Sequence, residues 1–384
     1  MSVVERMRVL RVSSPLVRPF VTAVRRTDRL DVVLVEATDA DGRVGWGEAA
    51  VSWRVTGESP QSVAAAVTGP LGAAVAGRRA GDPALAGVIA ASIWGNAAAR
   101  SGVACAVADL AARQRGLSVA EALLGNGATA PSRLRTDMTL STAPPPELAE
   151  QAIAHVAAGF GCLKIKASAA HDTVAGLRAV RAAVGPAITL RIDANQAWDP
   201  ETAIRVIRAL EDEGLDIELV EQPVAASDLE GLATVTAAVG TPIMADEAVR
   251  TERDVRAIAD RGAADLVNIK LAKTGGPTEA VAAARAAQEA GLGIVFGCMM
   301  ESPVGVTATA HLAAVLAPDE VHDLDAALWL RRSPVIGGIR SEGDVLELGA
   351  GLGFGIDALA PDVEAEVLAD IRPAHSRIHE EVRA

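Results

Sequence analysis

The chain has 384 residues, half of them hydrophobic and 22% charged, with a formal net charge of −13. That length allows two domains around a large core, and the acidic balance argues against a nucleic-acid partner. Three scattered cysteines, Cys105, Cys162 and Cys298, form no CxxC pair, which argues against a disulfide framework or a thiolate zinc site.

The opening stretch MSVVERMRVLRV lacks the apolar core of a secretory signal. Apolar runs are Ala-rich and broken by Gly or charge before membrane-spanning length. A cytoplasmic protein with no membrane partner is expected. Residues 8–50 read as strands, with VVLVEATDADGRVGWGEAA forming a hairpin about Asp39-Ala40-Asp41-Gly42. The acids there lack the remaining ligands of a calcium loop, so they read as a turn. Residues 60–125 are Ala-rich with helical period, and strands followed by helices suggest an α+β unit over 1–130.

From about residue 132 short β-branched runs alternate with helices: LRTDMTLS, CLKIKAS, ITLRIDAN, IELVEQP, TPIMADE, ADLVNIKLAK, LGIVFGCM and EVHDLDA. Helix starts are marked by Asp199-Pro200-Glu201 and by Thr251 with Asp254 three residues on. Eight such units predict a parallel barrel, preferred here over an open doubly wound sheet. The Gly-rich stretch SEGDVLELGAGLGFGID does not match GxGxxG, and it reads as a loop and turn segment packed back on the first domain.

Ionisable residues fall at the ends of the predicted strands: Lys164 and Lys166, Asp193, Glu221, Asp246 with Glu247, Lys270, and Asp323 with Asp325. C-terminal strand ends form the active-site face of such barrels. Asp193, Glu221 and Asp246 lie on three adjacent strands, where converging carboxylates need a cation between them. All-oxygen ligation suits Mg²⁺, with Mn²⁺ possible in its place. Asn195 and Glu247 are positioned to orient those ligands. Lys164 and Lys166, two apart on one strand, share a face. Lys166 and Lys270 then stand across the cavity as two acid/base groups, one for each face of an α-carbon, with Lys164 as an auxiliary charge that helps lower the pKa of its neighbour.

The segments KIK, RIDANQAW, ELVEQP, MADE and NIK, with PFVTAVR and GWGEAA before them, resemble the muconate lactonising subgroup of the enolase superfamily. The resemblance implies a modified TIM barrel, (β/α)7β, over 131–328. It also implies a capping domain over 1–130 and a segment 329–384 returning to that cap. Within the subgroup, Asp323-x-Asp325 in HDLDAALWL is similar to the dipeptide epimerases, of the L-Ala-D/L-Glu kind, where two carboxylates hold the substrate's α-ammonium. The implied reaction is epimerisation of a dipeptide at its C-terminal α-carbon by proton transfer through an enolate.

On the same resemblance Arg25 is aligned to meet an acidic substrate side chain, Trp53–Gly57 to close over the substrate, and Thr136 and Cys298 to line the pocket. A homo-oligomer is expected. Other reactions of the subgroup stay open: N-acylamino-acid racemisation, o-succinylbenzoate synthesis and muconate cycloisomerisation. So does a Schiff-base aldolase built on Lys270. His311 and His322 are read as structural.

Overall fold

The computed structural model describes residues 2–21, 26–125, 127–167 and 171–372. Its first strands, β1 (Val4–Val21), β2 (Arg26–Asp39) and β3 (Val44–Ala49), pair antiparallel in that order. The β2–β3 turn is fixed by the Asp39 carboxylate, which accepts the amides of Asp41 (3.0 Å) and Arg43 (2.9 Å). Gly42 takes the left-handed conformation there (φ 79°).

The sheet is apolar on both faces, and its two-residue period sorts them. Leu30, Val32 and Leu34 join the barrel core, while Val33, Val35 and Ala37 join a second core with the cap helices. Those helices include Leu85–Ser92 and Ala97–Gln114. The Ala97–Gln114 helix lies directly on β3, where a Cβ on Gly45 would stand 2.1 Å from the Ala106 carbonyl oxygen, and one on Gly47 2.0 Å from that of Gly102.

The barrel strands are β4 (Arg133–Thr136), β5 (Met138–Leu140), β6 (Cys162–Lys166), β7 (Thr189–Asp193), β8 (Ile217–Glu221), β9 (Ile243–Ala245), β10 (Leu266–Ile269), β11 (Gly293–Phe296) and β12 (Val321–His322). β5 to β11 form one sheet in chain order, with all neighbours parallel. β12 closes the ring. It pairs in parallel with β4, and the bridge Gly297–Asp323 joins it to the end of β11.

The first predicted strand is therefore divided. It changes partner at Asp137, whose amide bonds the His322 carbonyl (2.8 Å) and whose buried carboxylate meets Arg191 (3.2 Å). Among the described residues an outer helix follows each of the first seven strands: Pro145–Ala157, Thr173–Val184, Pro200–Asp212, Leu229–Ala238, Glu252–Arg261, Pro277–Ala290 and Pro303–Leu316. Only a 3-10 turn, Ala326–Trp329, follows the eighth. The architecture is a (β/α)7β barrel under an α+β cap.

Helix starts follow the local chemistry. Asp199 caps through Thr202 N (2.7 Å), and Thr251 and Asp254 form a reciprocal capping box. After the barrel the chain runs back through β13 (Val335–Gly337), β14 (Arg340–Glu342), β15 (Val345–Glu347), β16 (Ile356–Leu359) and β17 (Ala365–Ile371). β17 completes the cap sheet beside β1, with Met7 opposite Ile371. Asp109 of the cap fastens this return by accepting the amides of Phe354 (2.6 Å) and Trp46 (2.7 Å).

Cap and barrel are also joined by a buried carboxylate. Glu48, on β3, accepts Ser302 N (3.1 Å), Ser302 Oγ (2.6 Å) and Gly305 N (3.0 Å) at the start of the helix Pro303–Leu316. A carboxylate at this position satisfies helix amides that have no partner within the helix.

Candidate active site

A cavity of about 140 Å³ opens at the C-terminal strand ends beneath the cap, small enough to select small molecules. Its polar wall is Lys164, Lys166, Asp246, Lys270, Asp323 and Asp325, with Thr139, Asn195 and Glu247. Its apolar wall is Phe20 and Val55 from the cap with Met299, Met300, Cys298 and Ala326 from the barrel. Val55 belongs to the loop expected to cover the substrate, and its carbonyl is held by Arg250 Nη2 (2.7 Å). Trp53 of that loop is exposed. Arg25 lies outside the described residues.

The two-residue period of β6 turns both lysines inward. Lys166 Nζ pairs with Asp193 and Lys164 Nζ with Asp323, and Lys164 stands 3.7 Å from Glu221 Oε2. Lys270 begins where β10 ends. It is 2.9 Å from Asp246 Oδ2, 3.6 Å from Asp323 Oδ2 and 3.9 Å from Glu221 Oε1. β6 and β10 are the second and sixth members of an eight-strand ring, so their lysines approach from opposite sides.

Asp193 and Glu221 are register partners on β7 and β8, and Asp246 follows β9 directly. Asn195 steadies this arc through its amide to Asp193 Oδ1 (2.8 Å) and its side chain to Glu247 Oε1 (3.3 Å).

Burial opposes the charge on each lysine, but surrounding carboxylates outweigh it. Lys164 and Lys270 are held well above the usual lysine range, and Lys166 is raised beside Asp193. This is the reverse of the lowered pKa expected of a base. The four neighbouring acids carry more local charge than the neighbouring ammonium groups. Glu221 is pushed well up by burial and then by Asp193. Burial also raises Asp246, but Lys270 and Lys273 outweigh it and hold Asp246 below the usual range. Glu247 is raised to about 7 by burial and Asp246.

Among the described residues no three His, Cys, Asp or Glu side chains are gathered closely enough to form a ligand cage; Asp193 pairs with Lys166 and Asp246 with Lys270. The donor chemistry nevertheless fits a hard divalent cation. All three donors are carboxylates on successive strand ends, and Glu221 Oε2 is buried with no hydrogen-bond partner.

Thr136 does not line the cavity. Its hydroxyl is consumed at the β4–β12 seam, accepting Leu324 N (2.9 Å), and the side chain is buried there. Thr139, opposite Lys164 in register, takes the inward place instead. Cys298 lines the cavity, but burial and the nearby Asp323 push its thiol well up, and Sγ donates to the Asp323 carbonyl (3.2 Å). His322 bonds Phe296 N (3.2 Å) and the Ala317 carbonyl (3.0 Å). His311 accepts Ala120 N (3.2 Å). Both histidines are structural.

Three polar residues were missed in the sequence. Asn268 Nδ2 donates to Glu221 Oε1 (2.8 Å) and Asp323 Oδ2 (3.3 Å). Gln222 Oε1 accepts the amides of Asp246 (2.9 Å) and Ala248 (3.1 Å). Lys273 Nζ grips Asp246 and donates to the Asn268 carbonyl (3.1 Å). Asn268 precedes Lys270 by two positions, and that shared strand face was the available signal.

The family model described as "Mandelate racemase / muconate lactonizing enzyme, N-terminal domain" matches residues 5–125, and "Enolase C-terminal domain-like" matches residues 147–363. The chain is 39% identical over 355 residues to L-Ala-D/L-Glu epimerase of Bacillus subtilis (strain 168), spanning 91% of this chain and 96% of that one. A substrate-liganded complex of the L-Ala-D/L-Glu epimerase from Bacillus subtilis is similar in structure, with TM-score 0.88 and 38% identity over 93% of this chain and 99% of that one. So is the dipeptide epimerase from Enterococcus faecalis V583 complexed with Mg and the dipeptide L-Leu-L-Tyr, with TM-score 0.85 and 36% identity over 93% and 100%. With paired lysines facing a carboxylate arc, a capped (β/α)7β barrel and family matches along most of its length, the chain belongs to the enolase superfamily, in its mandelate racemase/muconate lactonizing enzyme branch.

Proposed function

We propose that the chain is a dipeptide epimerase, inverting the α-carbon of the C-terminal residue by a two-base proton transfer. The observation that carries this reading is the placing of two lysines on opposed strands, with Asp325 lining the cavity beside them. Thr139 N (2.8 Å) and Trp329 Nε1 (3.2 Å) both bond Asp325 Oδ2, and no described group donates to Oδ1. An unshared carboxylate oxygen suits an ammonium group and disfavours an acylated nitrogen.

Asp193, Glu221 and Asp246 would hold a divalent ion, Mg²⁺ with Mn²⁺ as a substitute, as the Mg-complexed relative supports. Such an ion supplies Lewis-acid stabilisation of the charge that develops on the substrate carboxylate. Lys166 removes or returns the α-proton on one face and Lys270 on the other, and inversion follows when one lysine takes and the other gives. Lys164 is an auxiliary charge near the substrate carboxylate, fixed by Asp323 and Glu221.

Phe20, Val55 and the methionines exclude water from the α-carbon. Arg25 is retained as the partner for an acidic side chain. No helix among the described residues is long and apolar enough to cross a membrane, and the proposal is of a cytoplasmic homo-oligomer. A Schiff-base aldolase built on Lys270 would have no need of the three carboxylates on the neighbouring strand ends.

The test is α-hydrogen exchange in D₂O across a dipeptide library with Mg²⁺, read by mass spectrometry. Exchange with free dipeptides at the C-terminal α-carbon is expected. Racemisation of N-succinyl amino acids with no activity on any free dipeptide overturns the reading.

A further inference from the structure

We infer that Trp329 is a positioning residue for the ammonium end of the substrate, holding Asp325 in place and seating the cap arm beside it; this rests on the dipeptide reading above. Trp329 is among the largest fully buried side chains, 2% exposed. Its indole Nε1 donates to Asp325 Oδ2 at 3.2 Å, and the Thr139 amide donates to the same oxygen at 2.8 Å. Two donors on one oxygen fix the rotation of the carboxylate of a residue that lines the cavity. Without the indole N–H, the Thr139 amide alone allows the group to swing.

The same ring carries the cap. Phe20, which also lines the cavity, meets it edge-on with centroids 4.9 Å apart and planes at 81°. The Arg18 guanidinium lies 4.9 Å from its centroid. Arg18 Nη2 in turn touches His155 Nε2 on the first outer helix. One indole therefore ties together the end of the eighth strand, the arm of the cap and the first outer helix.

The experiment is a double-mutant cycle of Trp329→Phe with Asp325→Asn, read as KM and kcat for free dipeptides. Trp329→Phe keeps most of the ring but not the N–H. KM is expected to rise about tenfold, more than kcat falls, because the ammonium lies one residue away from the reacting carbon. In the Asp325→Asn background the same change is expected to add little to KM, since the oriented charge is already gone.

A purely structural indole instead lowers thermal stability and shifts KM by the same factor in both backgrounds, which overturns the inference. So does an unchanged KM in folded Trp329→Phe. Should that variant fail to fold, Trp329→Met, apolar and with no N–H or O–H donor, gives the same comparison. Wild-type protein inert on every free dipeptide overturns the dipeptide reading itself, a result distinct from a failed cycle in an active enzyme.

Discussion

In the proposed reaction Lys166 and Lys270 are chemically alike and would differ in the side from which they reach the α-carbon. Lys166→Ala is expected to keep deuterium exchange with one epimer of a dipeptide and Lys270→Ala with the other, while epimerisation falls at least about 10³-fold in both. Equal loss of exchange for both epimers in variants that still bind Mg²⁺ excludes the two-base scheme. Replacing Asp193 by Asn, Glu221 by Gln or Asp246 by Asn is expected to cut turnover by about 10²–10³ or more and to weaken Mg²⁺ binding measured by titration calorimetry; full activity after exhaustive chelation removes the metal assignment. The charged residues were legible in the sequence because strand ends and the two-residue period place them without knowledge of packing. Thr139 was misread as Thr136 because the phase of that strand depends on its register with Lys164. Lys273 was missed because it sits in the short helix Leu271–Thr274, where the strand period no longer applies.

At the scale of elements, the contact between β3 and the helix Ala97–Gln114 leaves no room for a Cβ at Gly45 or Gly47. Gly47→Ala would place a methyl 2.0 Å from the Gly102 carbonyl oxygen, and backbone on both sides leaves little room to yield. A loss of about 1–3 kcal/mol or more is expected from urea unfolding, and an unchanged midpoint would show that the cap helix is free to shift. The barrel and its order of strands were readable from alternation, and so was the hairpin at Asp39. The division of the first strand at Asp137 was not. It depends on a buried ion pair with Arg191 of β7, more than fifty residues away in the chain, and on an eighth strand of only two residues. Neither feature has a local signature.

Over the whole molecule, two acids meet where cap and barrel join. Burial raises Glu48 to about 7, and burial with the nearby Glu48 raises Glu301 to about 8. Both lie above the ordinary carboxylate value, so between about pH 4.5 and 8 the folded chain binds more protons than the unfolded one, and this pair's contribution to stability falls as pH rises through that window. Glu301→Gln can keep the acceptor for the Met299 amide (2.9 Å) while removing the charge. Its melting temperature is expected to exceed that of wild type by a few degrees at pH 8 and to converge with it near pH 5; parallel curves across the range would remove Glu301 as the source. The cap itself is split by the barrel, with β1 paired to β17 across more than 340 residues of intervening chain. A ribosome releases β1, β2 and β3 early and β17 only after every barrel strand. Throughout synthesis, then, the cap sheet waits with one edge of β1 bare, and Phe20 and Val55 are made before the lysines they will cover. Nascent chains interrupted inside the barrel carry an open strand edge and an unfinished pocket, which makes them substrates for quality control rather than partial enzymes.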